Sequence, residues 1–350
     1  MTVPFLSIRN LGVTFTGGTR PVRAVNDVSL DVAPGEAVAL IGESGSGKSV
    51  TMRAVMRLNP EKRSKLEGQI LVGGRDVMAM DTRALSGFRG GEAAMIFQEP
   101  LLALDPVYTL GDQIVETIRR HEPVSRAEAR ARALELFERV RIPSAKSRLD
   151  NYPHEMSGGM RQRAMIALAL SCRPKLLLAD EPTTALDATV QIQVLLLLRE
   201  LQRDLGLSII FVTHDIGAAV EVADRIAVMY AGQIVEEASA RDLIRSPRHP
   251  YTLGLLKSRA HDAMVKGTKL DAIPGAPPDL ANLPDGCPFA PRCTYADAGC
   301  KTGPVAMQTL GPGHQARCLR LDQTQPPAMA PAMAPAMAGD GAILPGGAGV

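Results

Sequence analysis

Apolar positions fall along the chain in two rhythms. Ala37-Val38-Ala39-Leu40-Ile41 is an unbroken apolar run between Pro34-Gly35 and a glycine-rich stretch, the pattern of a short strand buried on both faces. Leu176-Leu177-Leu178-Ala179 and residues 208–212 repeat it, ending at Asp180-Glu181 and Thr213-His214. Helical spacing occupies 190–205 between those two runs, and a further helix is expected from Lys48 to about Leu58. This strand–helix–strand alternation predicts a largely parallel sheet. Ahead of it, Leu6-Ser7-Ile8 and Val13-Thr14-Phe15 read as two short β stretches before a Gly17-Gly18 turn, and 22–32 as another. Residues 226–235 read as a hairpin around Ala231-Gly232. The stretch 100–172 is mostly helical; Ser125-Arg126-Ala127-Glu128 has capping-box spacing, and Leu134, Phe137 and Val140 continue an apolar stripe.

Beyond about residue 245 the periodic segments stop and Pro, Gly and Cys rise. The expected organisation is a domain over 1–245, a smaller module over 246–322, and a tail over 323–350 with a threefold Pro-Ala-Met-Ala, expected to be disordered. With 350 residues, two domains are the natural count. Apolar residues at 45% and charged residues at 22% are the balance of a soluble globular protein. A formal net charge of +2 offers no basic field for nucleic acid, and 3% aromatics without Trp argue against a stacking surface for single strands. No run of apolar residues is long enough to span a bilayer, and residues 1–10 lack the form of a secretion signal, so a cytosolic location with reduced thiols is expected.

Gly42-Glu43-Ser44-Gly45-Ser46-Gly47-Lys48-Ser49 fits G-x-x-x-x-G-K-[ST] and lies between a strand and a helix, the context that pattern requires. Its glycines let backbone amides turn inward around phosphate oxygens, and the helix N-terminus adds positive dipole. Lys48 supplies a cation for the β- and γ-phosphates and Ser49 a hydroxyl for Mg²⁺. Asp180, at the end of a strand, can hold Mg²⁺, and Glu181 beside it can orient or deprotonate an attacking water. Met156-Ser157-Gly158-Gly159-Met160-Arg161-Gln162 opens a helix with exposed amides; by itself it reads as an N-cap.

These motifs, in this order, resemble the ATPase cassettes of ABC transporters. Ser157-Gly158-Gly159 is similar to that family's signature, usually written LSGGQ, with Met156 and Met160 in place of its Leu and Gln. The resemblance spans roughly residues 4–240. It implies an α/β fold: a P-loop, RecA-like ATPase core with an antiparallel β subdomain and an α-helical subdomain at about 100–172, here followed by a small C-terminal Cys-rich module. It also implies residue roles. Phe15 would stack on adenine, although alone it reads as core packing. Gly42, Ser44, Gly45, Ser46, Gly47, Lys48 and Ser49 would cradle the phosphates. Gln98, in Ile96-Phe97-Gln98-Glu99-Pro100, would sense Mg²⁺ and the attacking water. Together, Ser49, Gln98 and Asp180 would serve the metal. His214, which alone reads as structural, would contact the γ-phosphate, with Glu181 as base. Ser157, Gly158, Gly159 and Asp187, in Ala185-Leu186-Asp187, would act on the ATP of a facing cassette.

Ser246-Pro247-Arg248-His249-Pro250-Tyr251-Thr252, followed by a Pro/Cys-rich stretch, resembles the extension of ATPase subunits of di- and oligopeptide permeases. Four of the five cysteines lie within it, spaced Cys287-x5-Cys293-x6-Cys300-x17-Cys318. Spacing leaves Zn²⁺, a cluster and free thiols open. The resemblance implies a [4Fe–4S] cluster with a cross-bracing role, Zn²⁺ being the alternative. Cys172, in an apolar helix, reads as core.

The function implied is the ATP-hydrolysing subunit of a peptide importer, peripheral on the cytoplasmic face of the membrane. Its partners would be two transmembrane permease subunits, a second ATPase cassette, from a different chain or a second copy of this one, and, indirectly, an extracytoplasmic binding protein. The same role in an importer for nickel, glutathione-like peptides or other small solutes stands close behind. A soluble ABC ATPase of translation or DNA repair is disfavoured by the single cassette and the absence of a basic face.

Overall fold

A computed structural model describes residues 3–99, 103–184, 186–260 and 273–324. Pro100, Ala185 and the Pro-Ala-Met-Ala tail lie outside the described residues. Two sheets organise the chain. The smaller is antiparallel, ordered β2-β1-β4-β5, with β1 Leu6–Phe15, β2 Val22–Val32, β4 Ser64–Val72 and β5 Arg75–Asp76. The larger is ordered β11-β12-β10-β9-β3-β8-β7-β6. Its strands are β3 Ala37–Ile41, β6 Ala93–Ile96, β7 Leu176–Asp180, β8 Ser208–Thr213, β9 Arg225–Tyr230, β10 Gln233–Ser239, β11 Gln308–Gly311 and β12 His314–Ala316. From β9 to β6 neighbouring strands pair parallel; β10, β12 and β11 add antiparallel at the far edge.

The two β stretches expected before Gly17 are one strand. Leu6 and Ile8 are buried and so are Leu11 and Val13, so the inward face changes from even to odd positions midway. The switch occurs at Asn10, whose φ of 47° accompanies a register shift between Ile8 and Leu11. Such an extra residue breaks the period-2 signal without ending the strand.

The apolar runs are buried on both faces, as their composition predicts. Ala37, Ala39 and Ile41 join one core with Ile209 and Phe211, while Val38 and Leu40 join a second with Ile210 and Val212. The first core is roofed by the helices Leu110–His121, Arg126–Arg139, Gly158–Leu170 and Ala188–Leu205. The second holds the antiparallel sheet and the helix Lys48–Val55 against the opposite face. Cys172 is 8% exposed, as a core residue should be. Among the described residues no helix is long and apolar enough to cross a membrane.

The composition shift near residue 245 does not coincide with a break in packing. Strand β12 pairs with β10 through Glu236 and Ala316, extending the main sheet. Tyr251 and Phe289 lie in the same core as the helical roof. The segment after 245 is built onto the parallel sheet beside the phosphate loop.

Candidate functional site

Four adjacent parallel strands, β3, β8, β7 and β6, deliver their C-terminal ends to one edge, the usual ligand crevice of such sheets. Gly42 follows β3, Asp180 ends β7, His214 follows β8 and Gln98 follows β6. The loop after β3 turns on glycines with no substitute. Gly42 has φ +151°, and a Cβ there would lie 2.1 Å from the Met229 carbonyl oxygen. Gly47, at φ +103°, caps the helix Lys48–Val55, and its Cβ would meet the Ala24 carbonyl oxygen at 2.4 Å. Ser44 and Gly45 are exposed at the loop's crest; Ser46 and Lys48 are buried.

Lys48 Nζ donates to the carbonyl oxygens of Gly42 and Glu43, both at 2.8 Å, and to Ser46 Oγ at 3.3 Å. Burial pulls its ammonium below the usual lysine range, against the nearby carboxylates of Glu181, Asp180 and Glu43. Ser49 Oγ donates to Asp180 Oδ1 at 2.8 Å. Asp180 is 3% exposed, and burial pushes its carboxyl up, opposed by that hydroxyl. A hydroxyl and a desolvated carboxylate paired next to a phosphate loop are the donors a hard divalent cation takes.

Glu181 is the meeting point of the other side chains. Its Oε2 accepts from Gln98 Nε2 at 3.2 Å and Thr184 Oγ1 at 2.9 Å, and lies 3.6 Å from His214 Nδ1. The residue sits at φ 46°, a left-handed conformation that costs a glutamate about 1–3 kcal/mol. Its side chain is 20% exposed and that of His214 68%, so one side of the group is open to a ligand.

Five other positions are placed elsewhere. Ser157 caps the helix Gly158–Leu170 and accepts from Met160 N–H at 3.3 Å, so the N-cap reading is realised. Among the described residues no hydrogen bond joins it to the phosphate loop. Gly159 packs on the helix Ala188–Leu205, where an added Cβ would lie 2.8 Å from Val190 Cγ1. Asp187 caps that helix, accepting from Val190 N–H at 3.0 Å, and is exposed, as are Ser157 and Gly158. Phe15 is half-buried at the end of β1 against the second core.

Cys287, Cys293, Cys300 and Cys318 line one cavity with His249 and Phe289. None of them forms a disulfide, and among the described residues no group of three or more His, Cys, Asp or Glu side chains is arranged to hold a metal ion. Burial pushes the Cys287 and Cys293 thiols up and that of Cys318 to about 11. The Arg320 N–H points to Cys318 Sγ at 3.2 Å, and buried His249 Nε2 has no hydrogen-bond partner among the described residues. The lining offers four thiols and the His249 imidazole, with no carboxylate, which suits a soft metal group.

Sequence reasoning passed over Glu43, Tyr251, Tyr230 and Arg292, which meet beside the phosphate loop. The signal available was a charged residue inside a loop whose motif asks for none there.

A family described as "ABC transporter" matches residues 25–184, and one described as "Oligopeptide/dipeptide transporter, C-terminal region" matches 235–300. A Brucella melitensis protein, named provisionally as a peptide import ATP-binding protein, is 50% identical over 331 residues, covering 91% of this chain and 98% of its own length. An Escherichia coli protein, DdpD, named provisionally for D,D-dipeptide transport, is 48% identical over 319 residues, covering 91% and 96%. The solved dimer of MJ0796, a bacterial ABC transporter cassette, superposes with a TM-score of 0.61 at 29% identity, covering 67% of this chain and 99% of that one. The solved structure of cbiO1 from Clostridium perfringens, part of the ABC transporter complex cbiONQ, gives a TM-score of 0.60 at 25% identity, covering 69% of this chain and 90% of that one.

Proposed function

The chain belongs to the ABC transporter family of ATP-binding proteins, and from that membership we propose that it binds and hydrolyses ATP to energise import of di- and oligopeptides. The observation that carries the reading is the gathering of the phosphate loop, the Ser49–Asp180 pair and the Gln98–Glu181–His214 group at one sheet edge. The cargo class rests on the C-terminal family and on the names of the relatives.

In this reading Gly42, Ser44, Gly45, Ser46, Gly47 and Lys48 wrap the phosphates, and Ser49, Asp180 and Gln98 serve Mg²⁺. Glu181 takes the proton of the attacking water and His214 holds the γ-phosphate. Such chemistry needs positioning and charge neutralisation more than covalent catalysis. Phe15 stacks on adenine. Ser157, Gly158 and Asp187, exposed at two helix N-termini, complete the site of a facing cassette together with the half-buried Gly159. Two transmembrane subunits carry the path, and the chain sits on their cytoplasmic face. The test is co-purification from detergent extract together with nucleotide titration. Membrane subunits and Mg²⁺-dependent adenine-nucleotide binding are expected; ribosomes or DNA in their place, or no such binding, would reject the reading.

The four thiols, with the residue type and common cavity a [4Fe–4S] cluster needs, are its ligands in this reading. Cys287, Cys293, Cys300 and Cys318 would hold the cluster through their thiolates, and the same four thiolates could take Zn²⁺. When bound, the cluster supplies a covalent cross-brace to a segment with little regular structure. Anaerobically purified protein is expected to be brown with about four iron atoms per chain. Colourless protein with one zinc would instead assign Zn²⁺.

A further inference from the structure

The segment after 245 reaches the phosphate loop through Arg292 and Tyr251, which both hold Glu43. Arg292 donates from Nη1 to Glu43 Oε2 at 2.7 Å and from Nη2 to Glu43 Oε1 at 3.0 Å, a two-pronged ion pair. The arginine side chain is 5% exposed and that of Glu43 27%. Its remaining nitrogens are occupied: Nε donates to the Pro274 carbonyl oxygen at 2.8 Å, and Nη1 also reaches Tyr230 Oη at 3.3 Å. The guanidinium lies over the rings of Tyr230 and Phe289, 5.8 and 5.9 Å from their centroids. The backbone of the same glutamate is held as well, because Glu43 N–H donates to Tyr251 Oη at 2.8 Å. Tyr251 and Tyr230 pack ring on ring at 4.6 Å, both fully buried.

We propose that Arg292 and Tyr251 form an intramolecular clamp on the phosphate loop, fixing Glu43 and neutralising its carboxylate beside the loop that receives triphosphate. The proposal rests on the ATP-binding reading above. Nothing in the phosphate-loop motif asks for an acid at position 43, and a free carboxylate beside incoming phosphates would repel them. The clamp removes that repulsion with a planar fork that lysine could not reproduce. Tyr251 acts on the main chain, holding the first turn of the loop so that the amides of 44–49 stay oriented for an anion. Arg292 ends the short turn Ala290–Arg292, and Cys293 is its next residue, so the clamp shares its backbone with the thiol cavity. Arg292 and Tyr251 are positioning residues; neither is asked to touch the reacting atoms.

Two measurements on the full chain separate this clamp from the reading on which it rests. Hydrogen exchange without nucleotide reads the loop directly: Arg292→Ala and Tyr251→Phe should each speed exchange in 42–49, leaving strand β8 unchanged. MgATP titration should show about a tenfold weaker Kd for Arg292→Ala. The double variant Arg292→Ala/Glu43→Gln should recover most of that loss, because the unneutralised charge is gone; a merely architectural arginine would not be rescued this way. If Arg292→Ala does not fold, Arg292→Lys replaces it, with the same direction expected in both readouts. Unchanged exchange in 42–49 for both single variants, or a double variant no tighter than Arg292→Ala, overturns the clamp. A wild-type chain that protects 42–49 but binds no MgATP overturns the ATP reading and leaves the clamp standing.

Discussion

Glu181→Gln is expected to slow ATP turnover by about 10²–10⁴-fold while leaving MgATP bound, the range a positioned general base contributes. The amide keeps the shape of the side chain and the backbone at φ 46°, so the loop after β7 has no reason to move. What it loses is proton affinity at Oε2, the atom facing Gln98, Thr184 and His214. Phosphate release by the assembled transporter, together with nucleotide retained after gel filtration, reads the effect. Bound nucleotide should persist, because Lys48, Ser49 and Asp180 are untouched. A variant that hydrolyses ATP at the normal rate would remove Glu181 from the role of base.

Gly47→Ala is expected to abolish measurable MgATP binding and to lower the melting temperature. Its Cβ would be placed 2.4 Å from the Ala24 carbonyl oxygen, which β2 holds in place, and 2.8 Å from Met229 Cε. The backbone must also keep φ +103°, outside the ordinary range of an L-residue. Strain and contact together amount to about 2–4 kcal/mol. Relief requires the loop to shift, which breaks the bond from Thr51 N–H to the Gly47 carbonyl oxygen at 2.9 Å and unseats the helix that carries Lys48 and Ser49. Gly45→Ala is the control: φ is +78°, but nothing lies within 4 Å of the added carbon, so only about 1–2 kcal/mol of backbone cost is expected. Equal melting temperatures for the two variants would show that contact with Ala24 does not decide the site.

The phosphate loop was legible because its chemistry is local. The strand before it, the glycines and Lys48-Ser49 are contiguous, and the positive φ values at Gly42 and Gly47 are what the motif demands. Asp180 and Glu181 were legible for a different reason: an apolar run that ends in carboxylates at the C-terminal end of a parallel strand points them at the ligand edge. β1 was misread as two stretches, because one left-handed residue inverts the alternation on which strand recognition depends.

Residue order along the chain was enough to establish the parallel α/β core, its phosphate loop and the carboxylates that close β7, since each depends on burial period or on adjacent backbone geometry. It could not establish that Glu43 is held by Arg292, that β12 closes on β10, or that four widely spaced thiols share a cavity. Those pairings join residues up to hundreds of positions apart. They exist only once a buried sheet has brought distant segments to one edge, where desolvation makes an unpaired charge too costly to leave.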